Sequence, residues 1–472
     1  MNFRGILYYL GLFCFPVSFL SLLNILYSSY FDHFLNLDSY TLTLFISLFI
    51  GAIFFFSGNR SIKKIDFIEQ IFLIILVYFA AALLISIPYY LSNYQISFVD
   101  AIFESFSGIT GTGFTIFENI KYLDPTLILW RSSSQWIGGL YFLIFLVLFF
   151  SNSQFNYKLN NLVFSNSKSL NPETHIKSVS LQLFFLYFSL STLIFICFSG
   201  SGVRLFNSLN LTMTIVSAGG FLPTNSLSHI IKTNTQELIL FFSLLLSILN
   251  IYFFYNIFLK KNILRIHYED FWIVLSVLIF SVILLLSTSN SSLISVLINV
   301  TTSLSTSGIT INQNVENFSL YLLFLTIIGG SIISNTSGIK LLRIYILLKS
   351  TFIDIFKLVK PNNITNQYIL FSENKLNNEI TKLSFLVFIS FFVSLFILSG
   401  LLLIDNLEFE TAFKLSILTL TNTVNSELYS IAPINFADLL TTSKLSIIIF
   451  MIIGKIELIS FLLIIKKIFF KN

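Results

Sequence analysis

Ten long apolar stretches restrict this 472-residue sequence to very few folds. A helix that crosses a bilayer needs about 20 predominantly apolar residues, and the ten stretches have 16 to 29 residues each. Only 10% of the residues are charged and 55% are hydrophobic, whereas soluble domains carry about 25% charged residues. We therefore predict an all-α polytopic membrane protein. The predicted spans are approximately Ile6–Tyr27, Tyr40–Phe56, Phe67–Leu91, Leu127–Phe150, Leu181–Phe198, Leu238–Leu259, Phe271–Leu286, Leu320–Leu348, Leu383–Ile404 and Leu445–Phe469.

Basic residues cluster in the loops that follow the even-numbered spans, whereas the loops after odd-numbered spans carry few. Loops rich in Lys and Arg face the cytoplasm, so the alternation predicts a multi-pass protein of the cytoplasmic membrane with both termini inside. The net charge of +5 has the same origin, and we predict membrane lipid, not nucleic acid, as its partner. The clustered residues are Arg60, Lys63, Lys64, Lys158, Lys168, Lys177, Lys260, Lys261, Arg265, Lys349, Lys357, Lys360, Lys375, Lys382, Lys466, Lys467 and Lys471.

Four of the outward loops share an unusual pattern. Each begins with a short amphipathic run that is too short to cross, turns into a small polar stretch, and returns to an apolar span. The pattern recurs about every hundred residues, which indicates a repeated structural unit. One such loop alone would be an ordinary turn, but four in register predict four helix–pore-loop–helix repeats. The polar stretches are SGITGTGFT (107–115), TIVSAGGFLP (214–223), SLSTSGITI (303–311) and TNTVNSELY (421–429).

Irregular backbone at membrane depth must be buried in protein or line water, because lipid cannot satisfy its polar groups. Four re-entrant loops that meet on one axis can form a ring of carbonyl oxygens. Such a ring can replace the hydration shell of a bare cation. Glycine suits these loops because it adopts backbone conformations that a Cβ would forbid. The sequence therefore predicts a central pore with a carbonyl-lined filter.

Six sequence blocks resemble the Trk/Ktr/HKT superfamily of potassium transporters, and more closely its TrkH-type membrane subunit. The resemblance covers essentially the whole chain and implies four pore repeats plus two additional N-terminal helices. The blocks are DAIFESFSGITGTGF (100–114), WRSSSQWIGGL (130–140), VSAGGF (216–221), TSLSTSGIT (302–310), IIGGSIISNTSGIKLLR (327–343) and IIGKIEL (452–458). The implied units are residues 1–62, the extra helices; 63–152, 153–262 and 263–360, repeats one to three; and 361–472, a cytoplasmic linker with repeat four.

The resemblance implies which residues bind K⁺ in the filter. Gly113, Gly219 and Gly308 match three filter glycines, and in the fourth loop Asn425 stands where the family has the fourth glycine. An asparagine there could narrow the bore or supply a side-chain oxygen, which leaves open whether the pore selects K⁺ over Na⁺. The implied filter residues are Gly111, Thr112, Gly113, Ser217, Ala218, Gly219, Thr306, Ser307, Gly308, Thr423, Val424 and Asn425.

The eighth span is too long for one straight crossing and carries Gly and Ser in its middle, so we expect it to break. In the family this segment blocks the path below the filter. Lys340 closes it, and a snorkelling side chain is an equally good interpretation. Lys455 lies among apolar residues where the family usually has a pore-facing Arg; the alternative is a structural pair with Glu104. The implied gate residues are Gly329, Gly330, Ser331, Asn335, Thr336, Ser337, Gly338, Lys340 and Lys455.

The predicted function is gated, channel-like uptake of K⁺, and no cofactor is expected on this chain. The resemblance implies a homodimer that docks on a cytosolic nucleotide-binding, TrkA-like regulatory ring. Residues 361–382 and the basic loops are plausible docking surfaces. A Na⁺-permeable relative and an ion-coupled transporter of an organic solute remain alternatives. An enzyme is not expected, because no nucleophile motif, phosphate loop or paired-carboxylate arrangement stands out.

Overall fold

The structure, a computed structural model, describes residues 2–58, 67–151, 172–259, 267–287, 292–311, 318–359, 366–369, 376, 378–431 and 434–456. Within these ranges the protein is all-helical. Most of the predicted basic loops, much of the linker 361–382 and the end of the tenth span lie outside the described residues. The helices are α1 (Phe3–Tyr30), α2 (Leu37–Gly58), α3 (Phe67–Tyr90), α4 (Phe98–Thr110), α5 (Pro125–Ser151), α6 (Pro172–Gly200), α7 (Leu205–Val216), α8 (Asn234–Ile248), α9 (Tyr252–Leu259), α10 (Tyr268–Ser287), α11 (Leu293–Leu304), α12 (Ser319–Ile328), α13 (Leu341–Val359), α14 (Asn378–Ile404), α15 (Phe409–Leu420) and α16 (Thr441–Ile456).

The chain is a multi-pass membrane protein with long apolar helices. Among the described residues, six helices are long and apolar enough to cross a bilayer, namely α1, α2, α3, α6, α10 and α14. The first two form a hairpin whose glycines let the backbones touch. A Cβ built on Gly11 would lie 2.6 Å from Phe55 N, and one on Gly58 would lie 2.5 Å from Tyr8 N. Small residues allow such close packing between helices in membranes.

Four short helices, α4, α7, α11 and α15, lie inside the bundle. The longest of them, α4, has 13 residues, which corresponds to about 20 Å and falls short of a bilayer core of about 30 Å. Each is followed by a polar loop and then by a longer helix or helix pair. Their loop-facing ends are buried, and hydroxyl side chains there bond back to helix carbonyls, as Thr110 does to Phe106 O at 2.7 Å. The fold thus carries four chain segments to mid-bundle and back.

Two of the crossing segments are broken. The eighth predicted span divides into α12 and α13 around residues 329–340, as its glycines and serines predict. The sixth divides into α8 and α9, which the sequence analysis does not predict. Each break satisfies backbone groups of the other, since Ser331 N donates to Ile248 O at 3.0 Å and Ile251 N donates to Ile333 O at 3.2 Å. The two breaks therefore stabilise each other as a pair.

Candidate functional site

Four polar loops meet inside the bundle. Loops 1 to 4 comprise residues 111–116, 217–222, 305–310 and 421–426, directly after α4, α7, α11 and α15. A Cβ built on Gly113 would lie 2.7 Å from Gly220 Cα, so loops 1 and 2 touch there. A Cβ built on Gly308 would lie 2.9 Å from the Val424 carbonyl oxygen, so loops 3 and 4 also touch. The approach is possible because a glycine has no side chain.

Hydrogen bonds within the loops align loops 1 and 2 residue by residue. Ser107 Oγ donates to Phe114 O at 2.6 Å, and Thr214 Oγ1 donates to Phe221 O at 2.7 Å. Because each bond spans seven residues, Phe221 is the counterpart of Phe114. The preceding residues, Gly113 and Gly220, are therefore equivalent.

A backbone bond across five residues aligns loops 2, 3 and 4. Gly219 N donates to Thr214 O at 2.8 Å, Ser307 N to Thr302 O at 3.2 Å, and Thr423 N to Leu418 O at 2.9 Å. The residue before each of these donors has a positive φ: 54° at Ala218, 57° at Thr306 and 49° at Asn422, as does Gly111 with 81° in loop 1. A left-handed conformation outside glycine is uncommon and concentrates at functional sites. One ring of equivalent positions results: Gly113, Gly220, Gly308 and Val424.

The loops carry backbone carbonyls that no other described group uses. Buried backbone carbonyls are almost always paired, so a row of unpaired ones needs an explanation. The backbone carbonyls of the four ring residues, and of the residue before each, accept no hydrogen bond from the described residues. The residue before each ring position is nevertheless buried. The carbonyls concerned are those of Thr112, Gly113, Gly219, Gly220, Ser307, Gly308, Thr423 and Val424.

The short helices add a favourable field for cations. Each of α4, α7, α11 and α15 ends where its loop begins, so its C-terminus faces the loop. The C-terminus of a helix carries about half a negative charge from its unsatisfied carbonyls. Four such ends around one ring make the enclosed space attractive to a cation without placing a carboxylate in it.

A vestibule of about 670 Å³ opens on one side of the ring. Gly113, Gly220, Gly308 and Val424 form part of its wall, together with Asn425. The Asn425 side-chain oxygen is buried and accepts no hydrogen bond from the described residues. An unpaired oxygen at this position can serve as a cation ligand.

The broken segment 329–340 lies against the other side of the ring. Asn335 Nδ2 donates to Val216 O at 2.7 Å, and Ser337 N donates to Thr306 Oγ1 at 3.2 Å, which attaches the segment to the end of α7 and to loop 3. The chain turns back on itself at Gly329 and Gly338, where φ is 68° and 86°. A Cβ built on Gly329 would lie 2.3 Å from Ser337 O, so the fold-back requires glycine there.

Lys340 holds this fold-back closed. Its side chain is 1% exposed, and Nζ donates to Thr336 O and, at 3.0 Å, to Thr336 Oγ1. The same hydroxyl accepts Gly330 N at 3.1 Å. The snorkelling interpretation of Lys340 is therefore wrong, because the ammonium group points into the protein.

Lys455 lies directly beneath loop 1. Its Nζ donates to Asn335 O at 3.0 Å and sits 4.7 Å from the centre of the Phe142 ring. A Cβ built on Gly111 would lie 3.6 Å from this nitrogen. The side chain is 2% exposed, so a buried amino group faces the loops from the side of the broken segment.

Asn422 joins three of these parts. Its Nδ2 donates to Thr112 Oγ1 at 2.9 Å and to Met451 O at 3.0 Å, while its Oδ1 accepts Ser337 Oγ at 2.9 Å. One amide thus connects loop 1, the broken segment and α16. Asparagine also tolerates the left-handed backbone at this position better than most residues.

Comparison with known proteins gives sequence relatives along the whole chain. It is 26% identical over 498 aligned positions to an uncharacterized cation transporter of Methanocaldococcus jannaschii. The alignment covers 100% of this chain and 97% of the relative. It is 24% identical to the Trk system potassium uptake protein TrkH of Vibrio parahaemolyticus, over 91% of this chain and 92% of that protein. No protein-family model matches the chain.

The crystal structure of the potassium transporter TrkH from Vibrio parahaemolyticus has the same fold. The two superpose with a TM-score of 0.85 at 22% identity, covering 100% of both chains. The resemblance to TrkH-type subunits is confirmed. The fold class predicted from the spans and loops agrees with this likeness, whereas the domain boundaries and the roles of individual residues stay predictions.

The structure shows contacts among the four loops, the broken segment and α16, which carry the implied site residues, but with a different register in two loops. In loop 2 the counterpart of Gly113 is Gly220, one residue after the predicted Gly219. In loop 4 it is Val424, one residue before the predicted Asn425. Loop 2 contains two adjacent glycines and loop 4 contains none, so the sequence offered no anchor for either alignment.

The buried pair of Lys455 with Glu104, considered above as an alternative, is wrong. Glu104 instead accepts Arg131 Nε at 2.8 Å and Ile116 N at 2.9 Å. The Arg131 guanidinium also lies 4.1 Å from the centre of the Phe221 ring, in loop 2. The pair fixes α4, α5 and the first two loops relative to one another in this TrkH-type fold.

Sequence reasoning missed Asn422, Arg131 and the break at residues 249–251. Asn422 and Arg131 had a signal, since each is a polar residue inside a quoted stretch, TNTVNSELY (421–429) and WRSSSQWIGGL (130–140), between apolar spans. The break had only Asn250, whose backbone N–H donates to Asp270 Oδ1 at 2.8 Å. A single asparagine in an apolar run does not predict a break.

Proposed function

We propose that this chain forms a gated pore for the uptake of K⁺ across the cytoplasmic membrane, with loops 1 to 4 as its selectivity filter. The observation that carries the proposal is the set of unpaired carbonyls at equivalent positions of four loops. Such oxygens can replace the water around a K⁺ ion as it enters the ring. The names of the relatives, Trk system potassium uptake proteins, support the same ion.

Below the filter, the path meets two obstacles. The segment 329–340 fills the space beneath loops 2 and 3 through its bonds to Val216 and Thr306. The Lys455 ammonium repels a cation that leaves the ring on that side. Conduction therefore requires the segment 329–340 to move. Asn335 belongs to this segment, so its hydrogen bond with Lys455 must be displaced at the same time. The positive-inside pattern of the loops places the vestibule outside and this gate toward the cytoplasm.

Uptake of radioactive Rb⁺ tests the proposal in cells that lack their own K⁺ uptake. We expect saturable Rb⁺ entry when the chain is present in the membrane, and competition by K⁺. Absence of Rb⁺ entry from cells whose membranes contain the protein would contradict the proposal. Uptake of an organic solute without Rb⁺ flux would favour the ion-coupled transporter instead.

Na⁺ permeability is the second candidate, and the unpaired Asn425 oxygen favours it. A side-chain amide oxygen at the vestibule end of loop 4 adds a ligand that can move to fit a smaller cation. We expect Asn425→Gly to sharpen the preference for K⁺ by lowering Na⁺ uptake about threefold, which corresponds to the loss of one modest ligand contact. Parallel Na⁺ and Rb⁺ fluxes measure it, with Asn425→Asp as a control that keeps the oxygen. An unchanged K⁺/Na⁺ ratio in Asn425→Gly would refute this role.

We further propose that the chain is a homodimer that docks on a cytosolic nucleotide-binding ring, as the resemblance implies. The basic loops and residues 361–382 are the proposed docking surface. Co-purification in mild detergent and the mass of the complex test both parts. A monomer that retains no regulatory subunit under conditions that preserve Rb⁺ uptake would contradict them.

A further inference from the structure

The valine in the ring of loop residues sets loop 4 apart from the other three. Gly113, Gly220 and Gly308 occupy the equivalent positions of loops 1 to 3, and none of them places a side chain in the ring. Val424 brings two methyl groups to the same level. A valine supplies bulk there, and it supplies no oxygen beyond its backbone carbonyl.

The direction of the Val424 side chain follows from its neighbours. A Cβ built on Gly220 would lie 2.4 Å from Val424 Cβ, 3.0 Å from Cγ1 and 3.1 Å from Cγ2. A Cβ built on Gly308 would lie 3.0 Å from Val424 Cγ1. The isopropyl group therefore touches both loop 2 and loop 3.

Helix packing shows that loops 2 and 4 lie on opposite sides of the ring. Loop 1 follows α4, which packs on α16 and on α5, and α5 packs on α7. The helix α8 after loop 2 packs on α11, which leads to loop 3, and α12 after loop 3 packs on α15, which leads to loop 4. The cyclic order is thus loops 1, 2, 3 and 4. A side chain of loop 4 that touches loop 2 crosses the enclosed space.

We propose that Val424 is a steric constriction of the filter, which limits the rate of cation passage and the size of the cation that passes. The inference rests on the proposed function, because it gives a specificity-determining role to one residue of that pore. An ion that passes the ring must displace the isopropyl group or squeeze beside it. Valine is stiff about χ1, so the group yields little space by rotation.

The test compares variants of the full-length chain at Val424 by Rb⁺ and Cs⁺ uptake. We expect Val424→Gly to raise the Rb⁺ uptake rate about tenfold, the effect of a modest drop in the barrier. Uptake of the larger Cs⁺ should rise further than that of Rb⁺. Val424→Ala, which keeps one carbon of the side chain, should fall between Val424→Gly and the unaltered chain.

Two controls separate size from other effects. Val424→Ile enlarges the apolar side chain by one methylene, and we expect its Rb⁺ rate to fall about twofold or more below that of the unaltered chain. Ser430→Gly introduces equal backbone freedom beyond loop 4, at a position with a φ of 47°, and its Rb⁺ rate should stay within about twofold. Protein in the membrane is quantified for every variant, and rates are compared per molecule.

The outcomes are distinguishable. If the unaltered chain carries Rb⁺ and Val424→Gly and Val424→Ala carry it no faster, the constriction is refuted and the proposed function stands. If Val424→Ile gains as much as Val424→Gly, side-chain size is not the cause, and the constriction is refuted as well. If neither the unaltered chain nor any variant carries Rb⁺ or Cs⁺, the proposed function itself fails.

Discussion

Lys455→Met is expected to raise the basal Rb⁺ uptake rate about thirtyfold. The ammonium group is buried beneath loop 1, where water screens it poorly. A cation about 8 Å from the protonated amino group meets a repulsion of about 2 kcal/mol at an effective dielectric constant of 20, which corresponds to about thirtyfold in rate. Methionine keeps much of the apolar contact with Phe142 but removes the charge and the bond to Asn335 O.

Lys455→Arg is the matched control for this prediction. It keeps the positive charge and a donor for Asn335, so we expect its basal rate to stay close to that of the unaltered chain. Rb⁺ uptake per molecule of protein in the membrane measures both variants. Equal rates for Lys455→Met and the unaltered chain would exclude Lys455 as a barrier.

Glu104→Ala is expected to lower the free energy of unfolding by about 3–5 kcal/mol, because it leaves a buried guanidinium without its carboxylate. Arg131 is 1% exposed, and its Nη1 and Nη2 atoms donate to no acceptor among the described residues. The change also releases Ile116 N and Thr115 Oγ1, which anchor loop 1 to Glu104. The apparent melting temperature of the protein purified in detergent measures the loss.

Glu410→Ala is the control for the buried pair. Glu410 Oε1 lies 2.6 Å from Lys414 Nζ, but the Glu410 side chain is 75% exposed. Lys414 keeps a second acceptor in Ser430 O at 3.0 Å. We expect little change in melting temperature, since ion pairs that water reaches contribute little. Similar melting temperatures for the two variants would show that the buried Glu104–Arg131 pair contributes no more stability than the exposed Glu410–Lys414 pair.

The sequence predicts the large-scale architecture because lipid imposes a simple rule on it. Apolar length fixes the spans, and glycine-rich or hydroxyl-rich interruptions such as 107–115 and 329–340 mark backbone that must be enclosed by protein. Most residues of both segments are buried in the protein, as that rule predicts. The unpredicted break at residues 249–251 depends on bonds to the other break, which no local pattern contains.

The details of the site were harder to predict because they depend on register. Gly219 and Gly220 are chemically identical, and only the bond from Thr214 Oγ1 to Phe221 O distinguishes their positions. In TNTVNSELY the resemblance assigns the filter position to Asn425, whereas Val424 is the residue that lies against Gly220. Likewise, Glu104 could pair with either Lys455 or Arg131 until the packing of α4 against α5 was known.

The amide of Asn422 has a thermodynamic consequence. It bonds at once to Thr112 beside the ring, to Ser337 in the broken segment and to Met451 in α16. If the segment cannot leave without disturbing the ring, ion occupancy above and gate position below are linked, and linkage is reciprocal. Saturating the ring with K⁺ should then change how readily the thiol of a Ser331→Cys variant reacts with a thiol reagent. Equal reactivity with and without K⁺ would exclude this linkage. If the chain is a gated cation pore as proposed, the bonds that hold the gate closed would then also depend on whether the ring contains an ion.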